Sequence, residues 1–385
     1  MFLRITALAL SLITASTSVQ AFETRASAAY VVDQTTGTVL LNKNADTPLP
    51  PASMSKLMTL YMAFEAIADG RLRLDERLLV SKHAMDYGGS TLFLKAGERV
   101  TVEELIRGII VLSGNDACAV IAEALSVDGT EAGFARMMTE KAVSMGMTQS
   151  TFANSNGWPA AGHRMSMKDL AVLADKLIKD YPTYYPLFAQ KEFMFDETES
   201  QNRFNRNPLL GLGIGADGLK TGHTQEAGYG LTGSAKQGDR RIIFVLTGLQ
   251  TADARAEEAE KIVNWAFRQF VQKDVVKAGT AIASAEVWNG ATDTVGLVPA
   301  SDLSLLVPAL QKDTLEATVS YKGPFEAPIA AGDALGELVI SIDGLPETRV
   351  PLVAASDVAR GGFVPRMRTA TSVLMRQFTT VEPAL

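Results

Sequence analysis

The chain has 385 residues, 47% of them hydrophobic and 21% charged, with a formal net charge of −7. That length holds one large domain plus a smaller one, or two to three of average size, around a sizeable core. An acidic balance with no dense basic stretch excludes nucleic acid as the main partner, and the single cysteine, Cys118, excludes an intrachain disulfide.

The first residues, "MFLRITALALSLITASTSVQA", have a basic start at Arg4, an apolar core from Ile5 to Ile13 and small residues at Val19 and Ala21. This is the three-part layout of a secretory signal peptide, with cleavage expected after Ala21, and its apolar core is too short to span a bilayer. An exported chain without disulfides must draw its stability from burial. The segment "AAYVVDQTTGTVLLNKNAD" alternates as a strand, turns at Thr36-Gly37 and continues as a second strand, a hairpin at the edge of a sheet.

Next comes "PASMSKLMTL". Ser53 and Lys56 stand at i and i+3, so a helix puts them on one face, one turn apart. The pair fits an N-terminal cap with a lysine reaching solvent. It equally fits an activated nucleophile, in which Lys56, desolvated among Met54, Leu57, Met58 and Leu60, takes the Ser53 proton as a neutral amine. A Ser-x-x-Lys pair is expected about once by chance in a chain of this length, so alone it decides nothing.

Helical periodicity covers Lys56–Ala68, Val102–Val111, Ala117–Leu125, Glu131–Met145 and Met167–Ile178. Ser166 and Asp169 carry a capping-box pattern at the start of the last run. Cys118, within the apolar "DACAVIAEAL", reads as a buried small hydrophobe. His83, His163 and His223 lie far apart and outside any ligand spacing, so no metal and no cofactor is expected. Between two of the helices, "VLSGNDACAV" places Ser113-Gly114-Asn115 in a tight turn. "DGLKTGHT" puts Lys220-Thr221-Gly222 just before a predicted strand pair; the lysine and threonine suit a carboxylate, and the glycines allow close backbone approach. An exposed edge lysine that blunts aggregation would look the same. Two strands then meet at Gln237-Gly238-Asp239, and "AEEAEKIVNWAFRQF" is a helix.

Strands at both ends with helices between them indicate one α+β domain sharing a sheet. After Lys277 short β-rich runs such as "LSLLVP" and "ELVISIDGLPETRVPLVA" alternate with turns, which indicates a small all-β domain. The resulting division is 1–21, 22–277, 278–356 and a tail, 357–385. In the tail Phe363, Met367, Ala370, Leu374 and Phe378 share a helical face beside Arg366, Arg368 and Arg376. That pattern fits a helix lying on an anionic membrane surface or one packed onto the protein, and both readings stay open.

Order and setting together are more specific than any one motif. Ser-x-x-Lys at residue 53, Ser-Gly-Asn at 113 and Lys-Thr-Gly at 220 resemble the three-motif set of penicillin-binding proteins and serine β-lactamases. "DGLKTGHTQEAGYGLTGSA", "LIRGIIVLSGNDACAVIAEAL", "PPASMSKLMTLYMAFEAI" and "QNRFNRNPLLG" narrow the resemblance to the low-molecular-mass D-alanyl-D-alanine carboxypeptidases of bacterial envelopes. Export signal, catalytic domain, β domain and basic tail follow in that family's order, so the resemblance spans essentially the whole chain.

The resemblance implies a β-lactamase/transpeptidase-like domain, an antiparallel sheet with helices on both faces, followed by a small sandwich-like β domain. It implies Ser53 as nucleophile, Lys56 as general base and Ser113 as proton relay to the leaving D-alanine. Asn115, Lys220, Thr221, Gly222 and His223 then bind substrate, His223 through its amide in the oxyanion hole with Ser53, and Arg255 assists the carboxylate. The implied partners are a peptidoglycan stem peptide, β-lactams as acylating inhibitors and a membrane surface for the tail; the implied place is the periplasm, peripheral on the cytoplasmic membrane. A class A β-lactamase would carry Glu with Asn four residues later between the second and third motifs, and that pair is absent from Asp116 to Lys220. A transpeptidase or endopeptidase would use the same residues, and three intact motifs stand against a non-catalytic wall protein.

Overall fold

The computed structural model describes residues 22–195, 201–309, 316–342 and 347–379. The expected signal peptide, 1–21, lies outside them. The chain forms two compact units, one from Glu23–Lys277 with Asp302–Lys312, the other from Ala278–Ser301 and the residues from Asp313 on.

The first unit opens with the hairpin β1 (Ala28–Asp33) and β2 (Val39–Lys43). A helical region follows: α1 (Lys56–Ala68), α2 (Lys82–Met85), α3 (Val102–Arg107), α4 (Asn115–Leu125), α5 (Glu131–Ser144) and α6 (Met167–Asp180), with a small ribbon of β3 (Arg77–Leu79) and β4 (Arg99–Thr101) inserted. The chain returns as β5 (Ala216–Thr224), β6 (Gly228–Gln237), β7 (Arg240–Leu249) and α7 (Ala252–Arg268). The antiparallel sheet has the order β2-β1-β7-β6-β5, so the two ends of the unit meet where Tyr30 pairs with Val245.

Strand alternation divides β7 between two faces. Ile243 and Val245 join the core beneath α1, α4 and α6, while the alternate residues Ile242, Phe244 and Leu246 are buried on the other face. There α7 presents Ala259, Ile262, Val263 and Ala266. Burial on both faces accounts for the near-continuous apolar run of β7.

Two local expectations come out differently. Ser166 Oγ accepts the Asp169 amide at 3.0 Å, but the Asp169 carboxylate does not close the box; it accepts from the Gln149 amide at 2.9 Å and the Ser150 hydroxyl at 2.7 Å. The start of α6 is thereby tied to a distant loop instead of to its own cap. "LSLLVP" forms β11 (Leu303–Pro308), which pairs with β8 (Phe270–Val276) and belongs to the first unit, burying Leu305, Leu306 and Val307.

The second unit is all β in its sheet: β9 (Ala283–Trp288), β10 (Thr294–Pro299), β12 (Glu316–Tyr321), β13 (Phe325–Glu326), β14 (Ala334–Ser341) and β15 (Thr348–Ala354), in the order β12-β14-β15-β10-β9-β13. The helix α8 (Phe363–Thr379) follows. Its Thr369 Oγ1 accepts the Asn289 amide at 3.0 Å and Arg368 pairs with Asp293, while Phe363, Val364 and Met367 face solvent. The expected stripe residues Leu374 and Phe378, and Arg376, carry side chains outside the described set.

Candidate active site

Pro50-Pro51 ends the extended entry to the helical region, and a 3-10 turn over Ala52–Ser55 runs directly into α1. Ala52 is held at φ 49°, a left-handed conformation that non-glycine residues rarely adopt and that collects at functional sites. One turn later Lys56 is fully buried, with Nζ 2.9 Å from Ser53 Oγ, 2.7 Å from Asn115 Oδ1 and 2.6 Å from the Asn156 carbonyl oxygen. Burial lowers its pKa to about 8, helped by the Arg206 charge and opposed by Cys118, Asp116 and Glu131. Neither Ser53 nor Ser55 caps the helix through its side chain.

The Ser113-Gly114-Asn115 turn is set by α3. Its helix continues as a π turn over Gly108–Leu112 and stops at Ser113, which takes φ 64°. Ser113 is buried. Asn115 donates its Nδ2 to the Gly88 carbonyl at 2.8 Å and its amide to Ser90 O at 2.7 Å, so Oδ1 is the atom left toward Lys56. Beside it the Asp116 carboxylate accepts the amides of Leu92 and Leu94, binding that segment to the start of α4.

The third partner of Lys56 comes from a loop that sequence reasoning left unread. Glu131, at the start of α5, accepts from the Ser155 amide and hydroxyl, Tyr87 Oη at 2.6 Å and His83 Nε2 at 2.8 Å, which fixes the loop carrying Asn156. Gly157, at φ 83°, backs onto the 3-10 turn so closely that a Cβ there would lie 1.9 Å from Ala52 O. "SNGWP" carried a readable turn signal, but nothing local tied it to Ser53.

Lys220, Thr221, Gly222 and His223 lie within the edge strand β5 and not ahead of it. An added Cβ on Gly222 would lie 3.0 Å from Pro51 O and 3.1 Å from Met54 Cγ, so the glycine lets β5 lie close to the nucleophile turn without pushing those atoms back. Lys220 is buried and its pKa is driven well down, by desolvation first and then by the charges of Lys56 and Arg206. The His223 ring stacks on Tyr229 at 3.8 Å. Arg255, on α7, is buried over the Tyr229 ring at 5.7 Å and donates to Arg206 O at 3.3 Å. Arg206, also missed in the sequence, donates to Ser90 Oγ at 2.6 Å. Arg206 and Arg255 thus place two guanidinium charges near the desolvated Lys56 and Lys220, a setting that favours an anion.

The model of the D-alanyl-D-alanine carboxypeptidase family matches residues 14–251, and that of the penicillin-binding protein 5 C-terminal domain matches 270–360. The D-alanyl-D-alanine carboxypeptidase DacC of Escherichia coli is 34% identical over 361 residues, 92% of this chain and 89% of its own length. The structure of penicillin-binding protein 5 from Haemophilus influenzae superposes with a TM-score of 0.76 at 29% identity, covering 89% of this chain and all of that one. Penicillin-binding protein D2 of Listeria monocytogenes, solved in its ampicillin-bound form, has a TM-score of 0.57 at 31% identity over 64% of this chain and 98% of its own.

Proposed function

This chain belongs to the D-alanyl-D-alanine carboxypeptidase family and is a serine-type carboxypeptidase of that specificity; on that premise we propose that Ser53 is its nucleophile and Lys56 its base. The carrying observation is the triple contact of Lys56 Nζ with Ser53 Oγ, Asn115 Oδ1 and Asn156 O. Two of these partners are carbonyl oxygens, which only accept. A neutral amine satisfies both with its two N–H groups and turns its lone pair to the Ser53 hydroxyl. The Ser53 proton passes to Nζ as Oγ bonds to the carbonyl carbon between the two terminal D-alanines of a peptidoglycan stem peptide.

The carbonyl oxygen gains negative charge, and the amides of Ser53 and His223 receive it. The C–N bond then breaks as Ser113 relays the proton held on Lys56 to the departing D-alanine nitrogen, which frees the amine again, and water hydrolyses the ester to restore the Ser53 hydroxyl. Lys220 and Thr221 hold the terminal carboxylate, with Gly222 giving the strand its close approach and Arg255 adding charge; Asn115 positions Lys56 and substrate. A β-lactam, whose carboxylate and strained amide stand in a similar arrangement, acylates the same serine.

Export through residues 1–21 and attachment of the tail to the outer face of the cytoplasmic membrane complete the reading. Among the described residues no helix is long and apolar enough to cross a membrane, so attachment would be through the surface of α8. The test is D-alanine release from a stem pentapeptide ending in D-Ala-D-Ala, with Ser53→Ala beside the wild-type chain. Release that vanishes in the variant supports the reading; no release, with penicillin still on Ser53, moves it to a cross-link endopeptidase or transpeptidase.

A further inference from the structure

Past His223 the edge strand has one residue left, Thr224, before a turn leads into β6. A narrow groove runs there from Ala52, next to the nucleophile, to Thr224 and Glu226, walled by Trp158, His163 and Arg164. Two of its lining residues form an ion pair: Arg164 Nη2 donates to Glu226 Oε1 at 2.9 Å. The volume left is about 10 Å³, room for roughly one water. Beyond Glu226 the surface opens into a hollow of about 360 Å³ reaching Tyr229 and Gln250.

Both halves of the ion pair stand on fixed backbone. Arg164 exchanges both main-chain hydrogen bonds with Thr151, at 2.8 and 3.0 Å, and its Nη1 donates to His163 O at 3.0 Å. Glu226 sits in a turn closed by the Ala227 amide on Thr224 Oγ1 at 3.0 Å. The pair itself is half open to solvent, and an ion pair so placed adds little to stability. Next to it His163 is only 2% exposed; its Nδ1 accepts the Ala153 amide, so Nε2 carries the proton, and that N–H has no partner among the described residues. A buried donor of this kind is costly unless something entering the groove accepts from it.

The next step rests on the reading that substrate adds to β5 as an antiparallel strand with its scissile carbonyl at His223. The substrate residue just before that carbonyl's own residue then runs along Thr224, about 3.3 Å further on, and its side chain meets Arg164 and Glu226. We infer that Arg164 and Glu226 form a specificity bracket for a substrate side chain carrying both an ammonium and a carboxylate. The ammonium takes Glu226, the carboxylate takes the planar fork of Arg164, and His163 Nε2 donates into the opened groove. A side chain with one charge re-pairs one partner and leaves the other bare; an uncharged one leaves the pair closed on itself and gains nothing from it, so the two-charge group is selected.

The mature full chain tests this with two penicillins, one whose acyl side chain ends in an aminocarboxylate carbon and one with a phenylacetyl side chain, followed as the second-order rate of Ser53 acylation. Glu226→Gln and Arg164→Gln are each expected to slow the aminocarboxylate compound about tenfold, the scale of one lost charged hydrogen bond, and to leave the phenylacetyl compound within about twofold. Equal slowing of both compounds, or an unchanged ratio in both variants, overturns the bracket while the acyl-enzyme stands. Absence of labelling by either compound in the wild-type chain overturns the acyl-enzyme reading, and the bracket with it.

Discussion

The main-chain oxygen of Asn156 lies 2.6 Å from Lys56 Nζ, the shortest of the three contacts that hold the amine. A carbonyl cannot rotate away or change its role, so it claims one N–H whichever protonation state Lys56 adopts. Together with Asn115 Oδ1 it leaves Ser53 Oγ facing whatever the third position of the nitrogen carries. That third position is an N–H in the ammonium and a lone pair in the amine, and the chemistry turns on which.

A pH profile reads that difference directly. Burial brings Lys56 to about 8, and a general base works only when deprotonated. The rate of Ser53 acylation by a fluorescent penicillin should therefore climb about tenfold per pH unit below that value and level off above it. Lys56→Arg, which stays charged, should lose about 10²–10⁴-fold on the plateau above that value and show no such climb with pH. A flat wild-type profile would remove Lys56 from the role of base.

Covalent labelling separates the two nucleophilic side chains in this part of the fold. Cys118 is fully buried, and desolvation pushes its thiol up to about 12, so it is inert at neutral pH. Penicillin labelling should disappear in Ser53→Ala and persist in Cys118→Ala, with turnover of a D-Ala-D-Ala peptide reduced about 10⁴-fold or more by the first change. Label that follows Cys118 in a mass-mapped digest would sink the assignment.

Glu131 links the site to acid stability. Burial raises its carboxyl, but hydrogen bonds from Ser155, Tyr87 and His83 outweigh that and hold it below its ordinary value. A carboxyl depressed in the folded state contributes stability that is present above its unfolded pKa and lost as pH falls through the folded one. Glu131→Gln should cost about 1–3 kcal/mol near neutrality, and melting curves of the two chains should converge below about pH 4. It should also slow acylation by loosening Asn156. A constant gap in melting temperature down to low pH would contradict this account.

Two glycines with nearly the same φ separate strain from collision. Gly157 and Gly146 have φ of 83° and 81°, yet a Cβ on Gly146 meets nothing within 4 Å while one on Gly157 meets Ala52 O at 1.9 Å. Each substitution by alanine should cost about 1–3 kcal/mol of backbone strain. Only Gly157→Ala should also displace the nucleophile turn and cut the acylation rate by at least about tenfold. Equal acylation rates in the two variants would show that the Gly157 contact does not position Ser53.

Removing α8 tests the tail. A chain ending at Gly362 should move from the membrane fraction to the soluble one and keep its rate on a soluble peptide, because the site lies wholly within the first unit. Recovery of both forms entirely in the soluble fraction would defeat the attachment.

Much of the fold was legible because it rests on short-range geometry. The period of 3.6 places α1 over Lys56–Ala68, and the Thr36-Gly37 turn makes β1 and β2 a hairpin. The spacing of Ser53 and Lys56 already put two side chains one turn apart, and the structure sets them 2.9 Å from each other. Asp169 shows where such reasoning stops: its spacing from Ser166 was right for a capping box, but its carboxylate turns to the Gln149 amide and Ser150 hydroxyl, brought in by the tertiary fold and both bonded to Oδ2. Leu303–Pro308 likewise has the composition of the β unit and pairs instead with β8.

The sequence by itself determined the longer helices, the main strands and the pair of reactive side chains, since a helical repeat and a turn are settled within a few residues. Only the tertiary structure decided what surrounds that pair. Asn156 on Lys56, Glu131 on Ser155, Gly222 against Pro51 and Arg164 on Glu226 join residues 24 to 171 positions apart. No local period encodes such contacts; they form only when the core closes and each buried polar group must find a partner.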